Sequence, residues 1–151
     1  MRNTYWDIRN AACGVFIKMG NEAVEPLIEV LADQNWVVRE GAVLALGKIA
    51  DPRAIQPLIE AFKDTNAKRI TDALKSIGPI ALNPLIKALT SGDSRIRIGA
   101  ATALGEMKNP TVLDEIDKLA KDKDPMVRQV AKCAKHRIKW ETSPKKKAHF
   151  S

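Results

Sequence analysis

Apolar residues recur along the chain in two alternating helical patterns, each about three turns long. One pattern is spelled EPLIEVLAD, QPLIEAFKD, NPLIKALTS and DEIDKLAKD; the other starts at Trp6, Trp36, Ala67, Ser94 and Pro125. Within the second pattern Arg9, Arg39, Arg97 and Arg128 share one position, taken by Ile70 in the third copy, at steps of 30, 31, 27 and 31 residues. Three residues further on stand Ala12, Ala42, Ala73, Ala100 and Ala131. Seven further on stand Phe16, Leu46, Ile77 and Leu104, until Lys135 breaks the apolar series. These spacings predict a core stripe on each second-type helix, through Ile8, Ala12 and Phe16 or Val38, Ala42 and Leu46. Two helices per copy at a fixed period predict an all-α fold, an α-solenoid of about four and a half helical hairpins and nine helices.

The punctuation agrees with that division. Asn35, Asn66, Asp93 and Asp124 stand just before second-type helices, where a side-chain oxygen can accept an orphan backbone N–H. Asp51-Pro52 and Asn109-Pro110 open first-type helices in the same way. Pro26, Pro57 and Pro84 coincide inside the first-type helices, with Glu115 in their place in the last copy. A proline there removes a helix hydrogen bond, so each such helix is expected to bend. The third copy, LKSIG-P-IALNPL against LALGKIADPRAIQPL, is about one turn shorter. The repeats are expected to fill residues 1–140 as one domain, with 141–151 a basic, disordered tail beyond the break at Ser143-Pro144.

The stretch VVREGAVLALGKIADPRAIQPLIEAF resembles the HEAT-like repeats first recognised in phycobilisome lyases, and the likeness runs over residues 5–138. The resemblance implies a stack of helical hairpins. It spans bilin lyases, scaffolds, a hydroxylase and, more distantly, DNA glycosylases, so it does not choose a function.

Composition narrows the setting. Aromatic residues are 5% of the chain against 45% hydrophobic and 28% charged, which suits packed helices better than sheet. No apolar run nears the roughly 18 residues of a membrane span, and Asp7, Arg9 and Asn10 interrupt any signal-peptide stretch. Cys13 and Cys133 stand alone, so neither a disulfide framework nor a zinc site is expected, and the cytoplasm is the expected compartment. The net charge of +7 divides unevenly: residues 1–117 carry 14 Lys/Arg against 15 Asp/Glu, and residues 118–151 carry 11 against 3.

Four features invite a functional reading. The repeated arginine could line up phosphate-binding guanidinium groups, but Asp33, Asp64 and Asp122 recur six residues before it. That spacing favours an internal Asp–Arg ladder, with Arg97 turning to Asp93 because Ser91 replaces the aspartate in its copy. Positions offset from the core stripe should line the inner surface of the stack: Trp6, Asn10, Trp36, Val37, Glu40, Leu44, Lys68, Lys75, Arg95, Ile98, Thr102, Met126 and Gln129. Aromatic and apolar residues there suit a protein or peptide partner, although Trp6 and Trp36 could instead pack over neighbouring helix ends. Arg128, Lys132, Lys135 and Lys139, followed by Lys145, Lys146 and Lys147, form either a phosphate-backbone contact for nucleic acid or the polar cap a terminal repeat needs. Val15, Phe16, Ile17 and Met19 leave an apolar N-terminal end open to a homodimer.

Catalytic machinery is not expected. His136 and His149 belong to no His-Glu or HExxH pair, so the di-iron chemistry that the resemblance associates with its hydroxylase members finds no ligands. No GxxxxGK[ST] or GxGxxG loop occurs, and no cofactor or metal is expected. Asp114, Glu115 and Asp117 read as a solvated face, Cys13 as a small core residue, and Cys133 as a thiol near positive charge. The sequence therefore points to a non-catalytic binding or scaffold module, with nucleic-acid binding as the alternative and a lyase-related role resting on resemblance alone.

Overall fold

A computed structural model describes residues 14–143. The chain divides into two compact units, Met1–Ala81 and Leu82–Ser151. In the first, residues 14–19 are helical and are followed by α1 (Val24–Val30), α2 (Trp36–Ile49), α3 (Ile55–Glu60) and α4 (Ala67–Ile77). The second holds α5 (Leu82–Ala88), α6 (Ser94–Met107), α7 (Leu113–Lys118) and α8 (Pro125–Thr142). All regular structure among the described residues is helical, in the paired arrangement of an α-solenoid. The first of the nine expected helices falls largely on residues 1–13, outside the described residues, as does the tail beyond Ser143.

Each second-type helix starts where its cap residue places it. The side chains of Asn35, Asn66, Asp93 and Asp124 accept from the N–H groups of Val37, Lys68, Arg95 and Met126 at 3.0, 3.0, 2.9 and 2.8 Å. Asp51 and Asn109 do the same for Arg53 and Thr111 at 2.8 and 2.9 Å. The first-type helices do not run unbroken through their prolines. A 3₁₀ turn opens each of α1, α3, α5 and α7, and Pro26, Pro57 and Pro84 then sit in the first α-turn, where a missing N–H costs little. The same 3₁₀-to-α step precedes Glu115 in α7, so the step does not depend on proline.

The long second-type helices are covered from two sides. α2 packs against both α1 and α4, and α6 against both α5 and α8. A single core stripe therefore understates their burial: Glu40, Ala42, Val43, Ala45 and Leu46 are all buried on α2, while Val38, expected in the stripe, is exposed. The crossings are close. A Cβ built on Gly47 would lie 2.8 Å from the Ala73 backbone and side chain, and one on Gly105 would lie 2.8–2.9 Å from Ala134. Glycine at these two positions lets the helix axes approach. Both helices end on a left-handed residue that is not glycine, Ala50 at φ 58° and Lys108 at φ 54°.

Candidate functional site

The recurring arginines are fasteners built into the repeat. Arg39 Nη1 donates to the carbonyls of Asp33 and Gln34 at 2.7 and 3.0 Å, and Nη2 donates to the Asp64 carbonyl, 25 residues on, at 2.9 Å. Arg97 Nη1 repeats the first half with the Ser91 and Gly92 carbonyls at 2.8 and 3.3 Å. Its Nε and Nη2 then grip both carboxylate oxygens of Asp122, also 25 residues on, at 2.9 Å each. Arg128 Nη1 reaches the Asp122 and Lys123 carbonyls at 2.7 and 3.2 Å. The expected Asp–Arg ladder is thus corrected in two respects. The six-residue spacing reaches a backbone oxygen, which any residue supplies, and Arg97 takes Asp122, leaving Asp93 to Arg95 at 2.8 Å.

The Arg97 guanidinium holds the Asp122 carboxyl below its ordinary 3.8, against the opposing effect of burial. Asp51 is lowered first by the Arg53 side chain, and Asp124 first by the Met126 backbone N–H it caps.

In the first unit the crossing of α2 and α4 leaves a cleft of about 150 Å³. Val43, Leu44, Gly47 and Lys48 line it from α2, and Arg69, Asp72, Ala73 and Ser76 from α4. That volume suits one inserted side chain, since small-molecule sites run to roughly 300 Å³ and above. Lys68 pairs with Asp72 at 2.7 Å along its rim, and Ser76 Oγ donates to the Asp72 carbonyl at 3.0 Å. Trp36 stands at the start of α2 with 61% of its surface exposed, so it does not pack away over a neighbouring helix. Val37 and Leu44 are half-buried, whereas Glu40, expected to face outward, is buried with its carboxylate 3.9 Å from Arg69. Lys68 and Lys75 are exposed on α4. Trp6 and Asn10 lie outside the described residues, and Val15, Ile17 and Met19 are exposed beside a half-buried Phe16.

In the second unit Met126 is 57% exposed, Arg95 and Gln129 are exposed, and Ile98 and Thr102 are half-buried, with Thr102 Oγ1 donating to the Ile98 carbonyl at 2.8 Å. The basic face of α8 is partly spent on its own fold. Arg128 holds the loop before it, Lys135 pairs with Asp117, and Arg137 pairs with Glu106 at 2.6 Å. Lys132 and Lys139 are exposed, and Lys145, Lys146 and Lys147 lie outside the described residues. Lys132, Cys133, His136, Arg137 and Trp140 line an open depression on this helix. Sequence reading missed Trp140, and it missed the α4 side of the cleft. The glycines shared by α2 and α6 were the available signal for a close crossing.

Among the described residues no three His, Cys, Asp or Glu side chains come together as metal ligands, and His136 is the one histidine described. No described helix is long and apolar enough to cross a membrane.

A family model for HEAT repeats matches residues 1–78 and 79–134. The deoxyhypusine hydroxylase of Danio rerio is 26% identical over 121 residues, 80% of this chain and 32% of that protein. Human deoxyhypusine hydroxylase in complex with glycerol superposes with a TM-score of 0.63 at 23% identity, over 83% of this chain and 46% of its own. The CpcE–CpcF complex of phycocyanin lyase from Nostoc sp. PCC7120 gives a TM-score of 0.50 at 24% identity, over 83% of this chain and 87% of the other. At these identities the structural likenesses concern the fold. The chain spans about a third of the length of the curated relative it matches.

Proposed function

The chain belongs to the family of HEAT repeats, and on that premise we propose that it is a non-catalytic binding module that seats a protein or peptide segment along α2 and the α2–α4 cleft. The observation that carries this reading is Trp36, a large indole left 61% exposed on a helix whose first turn is fixed by the Asn35 cap. An exposed tryptophan on a capped helix is a ready anchor, because its backbone is already ordered and only two side-chain torsions are left to fix on binding. At 100° per residue Val43 and Gly47, both in the cleft lining, fall within about 20° of Trp36 on α2, so the anchor and the cleft share one stripe. In the second unit Met126 and Thr102 hold the helix positions of Val37 and Leu44, and Ile98 and Gln129 that of Glu40. Nucleic-acid binding has less support, since Arg128 and Lys135 are already engaged within the second unit.

Panning a random peptide library against the chain tests the proposal. Enriched peptides should bind Trp36→Ala about five- to thirtyfold more weakly than the parent, equivalent to about 1–2 kcal/mol, while circular dichroism stays unchanged. No enrichment, or equal binding to the variant, overturns it.

A further inference from the structure

The two tight crossings, α2 on α4 and α6 on α8, are closed differently. Gly105 meets Ala134 at one, and Gly47 meets Ala73 at the other. One residue past Gly105 stands Glu106, three past Ala134 stands Arg137, and these two join across the helices at 2.6 Å. The same steps from Gly47 and Ala73 lead to Lys48 and Ser76. The charge has changed sign on one helix, and its partner on the other has shrunk to a hydroxyl. Ser76 spends that hydroxyl on the Asp72 carbonyl of its own helix, at 3.0 Å. Between Lys48 and Ser76, where the second unit has an ion pair, lies the cleft of about 150 Å³.

The other charges around the cleft are matched. Asp72 pairs with Lys68 at 2.7 Å, and Arg69 faces the buried Glu40 carboxylate at 3.9 Å, too far for a hydrogen bond. Lys48 is exposed in the last turn of α2 and has no acidic partner among the described residues. The lining beside it is apolar, with Val43, Leu44, Gly47 and Ala73.

We infer that the cleft takes a glutamate side chain of an acidic peptide, whose carboxylate supplies the partner that Lys48 lacks. This rests on the reading of α2 and the cleft as a peptide-binding surface and gives the peptide its charge. The two methylene groups of the glutamate cover Leu44 and Ala73, and its carboxylate meets Lys48 Nζ, with the Arg69 guanidinium adding attraction from the α4 wall. Trp36 lies 12 residues back along α2, about 18 Å at 1.5 Å per residue. About five extended residues span that distance, so the apolar residue that meets Trp36 stands five positions from the glutamate.

The test is nuclear magnetic resonance of the isotope-labelled full chain, titrated with end-capped hexapeptides. Each carries Leu at one end, Glu, Gln or Lys at the other and a Gly-Ser spacer between, in both orders. The Glu peptide should shift the amide signals of Gly47, Lys48 and Ser76, bind at least tenfold more tightly than the Gln peptide, and weaken as salt rises. Lys48→Glu should lose at least tenfold for the Glu peptide and turn the preference to the Lys peptide. Lys132→Glu, an equal change of charge on α8, should leave binding unchanged, which separates a site from attraction to a basic chain. Absent binding, equal affinity for Glu and Gln, a Glu preference that survives Lys48→Glu, or an equal loss in Lys132→Glu overturns the assignment. If library-selected peptides then still depend on Trp36, α2 remains the binding surface and the glutamate alone is wrong; if none do, both readings fall.

Discussion

The two units place an arginine at the same point of a long helix and complete its bonding differently. In the first, Arg39 meets three neutral carbonyls, and its buried Nε finds no acceptor among the described residues. In the second, Arg97 is 4% exposed and closes a bidentate pair with Asp122. One fastener therefore operates in a neutral and a charged form, and the acceptor decides which. A buried carboxylate left without its partner costs far more than a carbonyl does, so the two units should respond unequally to the same substitution.

The largest expected effect is on the second unit. Arg97→Met strands Asp122 and two loop carbonyls and should cost about 3 kcal/mol. Arg39→Met removes only carbonyl contacts and should cost about 1 kcal/mol. Urea unfolding, with hydrogen exchange locating the loss, measures both; equal losses would erase the distinction. Acid sharpens it. The folded-state pKa of Asp122 is depressed, so its contribution is complete above the unfolded-state value, about 4, and disappears as pH falls through the lower folded value. The stability gap between the parent and Asp122→Asn should accordingly be constant near neutrality and close below about pH 4.

The helix crossings should behave alike in both units. Gly47→Ala and Gly105→Ala each push a methyl group to within 2.8 Å of an alanine on the crossing helix, and each should lose about 2 kcal/mol. A loss at one position alone would mean that only one crossing is tight. The smallest effect is a gain. Ala50 caps α2 in a left-handed conformation that glycine adopts freely, so Ala50→Gly should stabilise by about 0.5–1 kcal/mol in thermal melts. Lys108→Gly relieves the same strain but gives up the 2.9 Å pair with Glu141, so its gain should be smaller.

Much of this fold is written locally. Asn35, Asn66, Asp93 and Asp124 mark helix starts because capping needs only a short polar side chain two residues ahead of an orphan N–H. The arginine spacing is equally visible, but its meaning is not. Asp33, Asp64 and Asp122 suggest carboxylates, whereas the contact six residues back is to a carbonyl that Ser91 supplies as well. Glu40 and Val38 were misplaced because α2 is covered from two sides, which a one-stripe reading of helical periodicity does not contain. The cleft was hidden for a related reason. It forms where Gly47 meets Ala73, and a contact 26 residues apart in the chain leaves only two small residues as its trace. Lys135 reads as one of four cations on a face until α7 brings Asp117 against it.

If α2 and the α2–α4 cleft form the binding surface, a library-selected peptide leaves its footprint there in hydrogen exchange. Binding should slow exchange in α2 and α4, and the slowing should be lost in Trp36→Ala. Protection confined to the second unit, or protection that survives the substitution, would contradict the account.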